Sequence, residues 1–516
     1  MKTKPNLRQA MDYLHTWTGV LLATLLFLVF FMGTLSVFDR EIDRWMMPDT
    51  RLAQPAAASF DRIARPHLLR LAPDSKLWSV QYPFEREPVM RIGWNEGGEL
   101  KTRYVDVNTG RLLAPVGTKG GTGFFFPFHY SFHLKWMDLG YWLLAFVSIG
   151  MLALLVSGVI IHKKIFADFF AFRPRKSTQR ATLDVHNAAA VLLLPFHFLI
   201  ALSGLIIFVF LYMKPGMDLV YGKDAGKAPR EALQQVLREP AGRHGEFASV
   251  DAMAAQAQAL WGSGGIRRIM VRNPQDQHAV VEIQRRPHDQ VSSASLTVTF
   301  DGANGALLGR QDLSSVLKAQ RFFTGLHMVQ FDHWWLRWLY FLMGLVSCVM
   351  IGSGLLLWVE KRRVRQQREG RGSYRVVGAL AVAGTAGVLM ATLTMLVANK
   401  LLPAGLVQRA TFEQGIFFAA WIGALIHALA RARQQRFCTD IRIAWREQAW
   451  ASAALALLAV ALNAALTGDH LLRTLSQGKL AVAGTDLVLL ATAALGVATA
   501  RRLASRAAAP MRSAAV

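Results

Sequence analysis

Residues 14–38 read LHTWTGVLLATLLFLVFFMGTLSVF, and residues 185–210 read VHNAAAVLLLPFHFLIALSGLIIFVF. Each run exceeds the roughly 20 apolar residues that a helix rising about 1.5 Å per residue needs to cross a bilayer. The two also align, His15 on His186 and Gly33 on Gly204, both at an offset of 171 residues. Later in the chain Ser157-Gly158 answers Ser353-Gly354 and, across a two-residue gap, His133 answers His327. Self-similarity of this kind means a duplicated structural unit. The reading is a tandem repeat of helix, external domain, helix.

Working outward, four runs are long enough to span: Trp17 to Phe38, Tyr141 to Ile161, Ala188 to Tyr212 and Trp338 to Val359. Four weaker Ala, Leu and Val runs follow, near Val376 to Ala398, Gln414 to Ala430, Ala449 to Leu466 and Ala483 to Ala500. The expected fold is therefore membrane α-helical with about eight transmembrane helices. A 516-residue chain that is 53% hydrophobic, with mean hydropathy +0.27, is too apolar for an ordinary soluble enzyme.

The formal net charge of +24 raises nucleic-acid binding, but the basic residues concentrate beside the spans. Lys2, Lys4 and Arg8 precede the first; Lys163, Lys164, Arg173, Arg175, Lys176 and Arg180 follow the second; Lys361, Arg362, Arg363, Arg365 and Arg368 follow the fourth. Arg431, Arg433, Arg436, Arg442 and Arg446, then Arg501, Arg502 and Arg506, continue the alternation. By the positive-inside rule these segments and both termini are cytoplasmic, and no nucleic-acid partner is implied. The location read is the bacterial inner membrane, with lipid as a partner. The first run continues into Asp39-Arg40-Glu41 without a small-residue cleavage site, so it is kept as a helix rather than a signal peptide. Trp136, Tyr141 and Trp142, with Trp334, Trp335, Trp338 and Tyr340, sit where an aromatic interfacial belt belongs. Two cysteines, Cys348 and Cys438, make no disulfide framework, and the absence of C-x-x-C-H means that any haem is held without covalent attachment.

The segments divide as the N-terminus and first span (1–38), a first external domain (39–128), the second span (129–162), a basic loop (163–185) and the third span (186–212). A second external domain (213–335), the fourth span (336–359), a second basic loop (360–375), the last four spans (376–500) and a tail (501–516) complete it. The first external domain carries strand-like runs at Trp78 to Tyr82 and Val89 to Trp94, then YVDVNTGRLL from Tyr104 to Leu113 with a turn at Asn108-Thr109-Gly110. The second carries strand-like runs at Arg268 to Val271, Ala279 to Gln284 and Leu296 to Leu308, the last containing TFDGANGALLG, and a helix near Ser249 to Leu260. Each reads as a small periplasmic α+β module.

The YVDVNTGRLL stretch resembles the closing strand pair of PepSY domains. The L-H-x-x-x-G start of the first helix, Leu14 to Gly19, with S-G or T-G near helix ends, resembles the PepSY-associated transmembrane family. The resemblance covers roughly the first 370 residues. It implies two periplasmic PepSY-like domains, and the family it names includes reductases of ferric siderophores. The last four helices lie outside it.

An imidazole in hydrocarbon needs a partner. His15 and His186 sit at the cytoplasmic start of repeat-related helices, His133 and His327 at the outer mouths of the second and fourth spans, with His129 as an alternative. His197 lies deeper; at 11 residues from His186 a straight helix returns it to within about 20° of the same face, roughly 16 Å along the axis. Paired histidines on facing helices match bis-histidine ligation of b-type haem. The expectation is two haems, the inner on His15 and His186, the outer drawn from His133, His327 and His197. Structural alternatives stand for each: a histidine at a membrane edge caps or anchors, His162 reads as interfacial, and His67, His244, His278 and His288 read as solvated. Gly33, Gly158, Gly204 and Gly354 either pack helices or make room for a porphyrin.

Stacked haems carry electrons outward, and the resemblance implies a ferric siderophore or other iron chelate as acceptor, reduced from Fe3+ to Fe2+. Its docking is expected near His129, Tyr130, Trp136, Arg321, Trp334 and Trp335. With no G-x-G-x-x-G after a strand, no P-loop and no separate cytoplasmic domain, the donor is a quinol or a partner protein. Two alternatives belong to other classes: a non-enzymatic membrane protein whose external modules bind or inhibit a periplasmic protease or partner, and, with few acidic residues to support it, an ion or proton translocator.

Overall fold

The computed structural model describes residues 6–162, 178–224, 231, 233–287, 289–368, 373–434 and 441–508. Lys2, Lys4, Lys163, Lys164, Arg173, Arg175, Lys176, His288, Arg436 and Cys438 lie outside the described residues. The chain forms two units. One comprises Met1–Met47, Gly117–Leu202 and Trp338–Val516; the other comprises Pro48–Val116 and Ser203–Arg337.

Among the described residues, seven helices are long and apolar enough to cross a membrane: Leu7–Ser36, Trp136–Ile161, Trp334–Arg362, Tyr374–Leu401, Arg409–Arg433, Arg442–Thr467 and Leu480–Ser505. The third expected span is the exception. It is broken into Gln179–Leu192 and Leu194–Ile207, bent by 65°. Pro195 stands at the break: it lacks an N–H, and its ring crowds the carbonyl four residues back. His186 and His197 therefore lie on different helical segments, which corrects the straight-helix argument for stacking them on one face.

The first span opens on a reciprocal cap. The Asn6 side chain accepts from the Gln9 backbone N–H at 3.0 Å, and the Gln9 side chain accepts from the Asn6 N–H at 3.0 Å. The fifth span carries a π-turn at Ala383–Gly387, and there Gly384 lies so close to the first span that an added Cβ would meet Thr24 at 2.5 Å. The last four helices are also tied to the N-terminal half by buried polar contacts. Trp45 Nε1 donates to Asp486 at 2.7 Å, and Lys400 donates to the Trp45 carbonyl at 2.7 Å. Glu413, fully buried, accepts from Thr118 and from Asn399 and pairs with Arg409 at 2.9 Å. These contacts put helix Asp39–Met46 and residues 117–128 with the spans, so the part of this segment that joins the second unit, 48–116, is shorter than the sequence boundaries 39–128 suggest.

The second unit corrects the two-domain expectation. The two segments that the sequence reading placed outside the membrane share one seven-stranded antiparallel sheet in the order β3-β2-β1-β4-β5-β6-β7. From the first segment come β1 (Leu77–Gln81), β2 (Met90–Glu96) and β3 (Glu99–Val105); from the second come β4 (Ile266–Arg272), β5 (Val280–Arg285), β6 (Thr297–Asp301) and β7 (Leu307–Arg310). The seam is β1 against β4, registered Leu77 on Arg272 through Gln81 on Arg268. Pairing these strands removes two exposed edges and joins their buried side chains, Trp78 and Val80 beside Ile269 and Val271, into one core. Helices Arg65–Leu71 and Val250–Trp261 cover that face through Leu68, Val250, Met253 and Ala257.

The two turn motifs seen in the sequence are built alike. Asp106 accepts from the Asn108 N–H at 3.0 Å and the Thr109 hydroxyl at 2.7 Å, and Asp301 accepts from the Ala303 N–H at 2.9 Å. Each turn closes on a glycine with positive φ, Gly110 at 69° and Gly305 at 78°, a conformation that other residues adopt only with strain.

Candidate functional site

The N-terminal end of the first span brings His15 against the second span. Its Nδ1 lies 3.0 Å from the Leu154 carbonyl and 3.1 Å from the Ser157 hydroxyl, which itself donates to the Ala153 carbonyl at 2.7 Å. Both neighbours act as acceptors, so Nδ1 carries the hydrogen and Nε2 keeps its lone pair. His186 repeats the arrangement on the fourth span: its Nδ1 donates to the Met350 carbonyl at 2.9 Å, and Ser353 donates to that same carbonyl at 2.9 Å. Leu154 and Met350, Ser157 and Ser353, and Gly158 and Gly354 all differ by 196 residues. The duplication thus preserves the complete setting of the histidine, beyond its identity.

The two rings face each other. Their centroids are 6.4 Å apart and their planes stand at 79°. A glycine backs each ring. A Cβ on Gly158 would meet His15 Cε1 at 3.3 Å, and one on Gly354 would meet His186 Cε1 at 2.9 Å. These glycines make room for the histidines themselves, an answer different from the two that the sequence offered.

Two further glycines do the same. An added Cβ on Gly33 would lie 2.8 Å from the His129 ring, whose Nδ1 donates to the Val29 carbonyl at 2.8 Å. In the other unit, one on Gly204 would lie 3.2 Å from the His327 ring, whose Nδ1 shares a hydrogen bond of 2.9 Å with Ser203. Since Gly33 and Gly204 are repeat partners, His129 is the equivalent of His327. This corrects the alignment of His133 with His327. His133 sits in the left-handed region at φ 58°, places Nε2 2.9 Å from the Phe124 carbonyl and stacks on the Phe124 ring at 4.8 Å. Its surroundings are an aromatic cluster of Phe124, Phe128 and Phe417, and burial holds its pKa below the ordinary histidine value.

His197, completely buried, donates from Nε2 to the Ser347 hydroxyl at 2.8 Å, which passes its own hydrogen to the Met343 carbonyl at 2.7 Å. Its ring stands edge-on to Phe30 at 5.8 Å, with no glycine behind it. Its other ring nitrogen, Nδ1, is buried with no hydrogen-bond partner among the described residues. His162 pairs through Nε2 with the Asn187 amide at 2.9 Å.

The expected docking residues divide between the units. His129, Tyr130 and Trp136 belong to the membrane unit, where Tyr130 packs on Phe126 and Tyr141 and Trp136 is 75% exposed. Arg321, Trp334 and Trp335 belong to the sheet unit, where Trp334 reaches Glu85 at 3.4 Å, Arg337 stacks over it at 4.7 Å, and Trp335 is 88% exposed. Burial holds the Arg321 pKa below its ordinary value.

An uncharacterized protein of Pseudomonas aeruginosa is 26% identical over 387 residues, spanning 71% of this chain and 91% of that one. The family model for the PepSY-associated TM region matches residues 13–361, which contain all four glycine-backed histidines and both halves of the repeat. This multi-pass membrane protein therefore belongs to the PepSY-associated transmembrane family.

Proposed function

We propose that the protein is a di-haem b-type reductase of the bacterial inner membrane that passes electrons outward to a ferric siderophore in the periplasm. The observation that carries this reading is the facing pair His15 and His186, 6.4 Å between ring centroids. Two imidazoles bound to one metal at about 2.0 Å each put their centroids about 6 Å apart, so the spacing fits a single iron. The donor chemistry fits as well. Each Nδ1–H is held by a backbone carbonyl, which fixes the tautomer, aims Nε2 and raises its basicity, as metal-ligating histidines require.

Haem held by two histidines supplies reversible one-electron transfer. The chain's own contribution is to orient the rings and exclude water. Gly158 and Gly354 allow the rings to lie flush against the neighbouring helices, where larger side chains would displace them. The repeat makes His129 and His327 equivalent residues, each ring backed by a glycine within its own unit, which adds His129 to His133, His327 and His197 as a candidate ligand of the outer haem. The acceptor reading rests on family membership and on iron chemistry: Fe3+ is held strongly by hard oxygen ligands, and reduction to Fe2+ weakens that hold and releases the metal. Quinol or a partner protein supplies the electrons.

The test is the haem content of the detergent-purified protein, by reduced-minus-oxidised spectrum and pyridine haemochrome. The expected result is a b-type spectrum with about two haems per chain, falling to about one in His15→Ala and in His186→Ala. A folded, colourless wild type would sink the proposal and favour the protein-binding membrane anchor.

A further inference from the structure

One to two helical turns beyond the glycines that back His15 and His186 stand three N–H donor groups that the reading above leaves unused. Trp358 is one helical turn beyond Gly354, and its Nε1 is buried without a hydrogen-bond partner. His162 is the repeat position of Trp358, at the same offset of 196 residues and one turn beyond Gly158. The Asn187 amide donates to His162 Nε2 at 2.9 Å, so Nδ1 carries the hydrogen, and that atom too is buried and unpartnered. Arg362, one turn beyond Trp358, holds its guanidinium over two indoles, 4.4 Å from the Trp358 ring and 4.9 Å from the Trp17 ring. Among the described residues it makes no ion pair with a carboxylate.

Orphaned donors are rare in native structures and mark a missing partner. At the end of a membrane span water offers less rescue than it does at a soluble surface. The stacked guanidinium is held rigid by the indoles, and its planar fork is the side chain best shaped to receive a carboxylate through two parallel hydrogen bonds. Each half of the repeat also places one N–H donor a single turn past the glycine that backs its histidine. Haem b carries two carboxylates on one edge of the macrocycle, matching two such donors plus a cation.

We infer that Arg362, Trp358 Nε1 and His162 Nδ1 receive the propionates of the haem held by His15 and His186. This rests on the haem reading proposed above. These are positioning residues: they set the rotation of the macrocycle and neutralise its carboxylates, while the histidines hold the iron.

The test measures haem release from the purified holoprotein to excess apomyoglobin, with wild type, Arg362→Gln, Trp358→Phe and the exposed neighbour variant Lys361→Gln compared. A lost charge-assisted hydrogen bond predicts release about tenfold to a hundredfold faster in Arg362→Gln, a smaller increase in Trp358→Phe and no change in Lys361→Gln. The second arm replaces haem by its dimethyl ester in the reconstituted protein. Here the ester leaves wild type as fast as haem leaves Arg362→Gln, and Arg362→Gln adds no further effect. Unchanged release in Arg362→Gln, or an Arg362→Gln effect equally large with the ester, would overturn the inference while leaving the haem reading intact. A wild type that takes up no haem would overturn both, and the blank wild-type spectrum identifies that case.

Discussion

Replacing Gly354 by alanine adds a single methyl group, and the structure gives it two opposing effects. In an exposed or loosely packed helix, alanine stabilises by about 1 kcal/mol over glycine. Here the new Cβ would fall 2.9 Å from His186 Cε1 and 3.0 Å from Nδ1, closer than carbon atoms pack. The neighbouring fourth-span backbone cannot yield easily, so the imidazole must move. That movement breaks the 2.9 Å hydrogen bond to Met350, which comes from the same helix one turn earlier. Overpacking of this size costs about 1–3 kcal/mol, and loss of the hydrogen bond that orients a ligating histidine typically weakens metal binding about 10- to 100-fold. The expected Gly354→Ala protein therefore melts near the wild-type temperature but loses the inner haem on dilution. Visible spectra recorded with a parallel thermal melt in detergent read both quantities. Gly423→Ala is the control: nothing lies within 4 Å of its Cβ position, so it keeps both haems and gains about 1 kcal/mol. A Gly354→Ala protein with wild-type haem content and spectrum would show instead that the His186 ring tolerates displacement without consequence, and that Gly354 does not seat it for a ligand.

Removing His133 should leave the haem content unchanged, whereas His129→Ala should drop the haemochrome value from about two to about one per chain; equal loss in His133→Ala would restore the alignment of His133 with His327. Trp45→Phe removes the N–H that Asp486 accepts at 2.7 Å, and about 1–3 kcal/mol of docking for the last four helices goes with it. Limited proteolysis should then cut between the fourth and fifth spans sooner than in wild type, and an unchanged cleavage rate would count against those helices being tied to the core. Burial pushes the Asp43 carboxyl up to about 6 from an ordinary 3.8, against the opposing Thr122 hydrogen bond. A carboxyl with a raised folded-state pKa binds more protons folded than unfolded, so stability should fall as pH rises from about 4 to about 6 and level off above it. Melts in detergent across that window should show the slope in wild type and lose it in Asp43→Asn; an identical slope in both would assign it elsewhere. Finally, Ser79→Pro, at the centre of the β1 and β4 seam, should unfold both external segments together, whereas independent domains would leave the second segment's amide protection intact.

The spans were legible because an apolar run of sufficient length has few other fates, and strands β1 and β5 because Trp78 and Val80 alternate with Ser79 and Gln81, and Val281 and Ile283 with Glu282 and Gln284. What local pattern lacks is pairing information. Nothing in the alternation of β1 distinguishes a strand at the edge of its own module from one that meets β4, nearly two hundred positions later. The same shortage explains the outer histidines. His133 and His129 lie on either side of the position that the repeat demands for His327, and each needs a two-residue gap, so alignment alone could not choose. Gly33 against His129 and Gly204 against His327 resolve it, since a Cβ contact cannot be read without coordinates. The straight-helix reading of residues 186–212 passed over Pro195, and the 65° bend beside it parts His186 from His197. The Ser-Gly pairs at Ser157 and Ser353 were visible as a repeat; their role in seating a histidine ring became visible only once Leu154 and Met350 were placed.

The proposed transfer of electrons from this protein to chelated ferric iron is open to one anaerobic mixing experiment. The purified protein is reduced with a stoichiometric quantity of dithionite, then mixed with a ferric hydroxamate siderophore in the presence of a ferrous-specific chelator. The prediction is loss of the reduced b-type bands as the ferrous complex appears, one iron per electron, with both changes diminished in His15→Ala and His186→Ala. Reduced bands that persist in the presence of the chelate, with no ferrous complex formed, would contradict it.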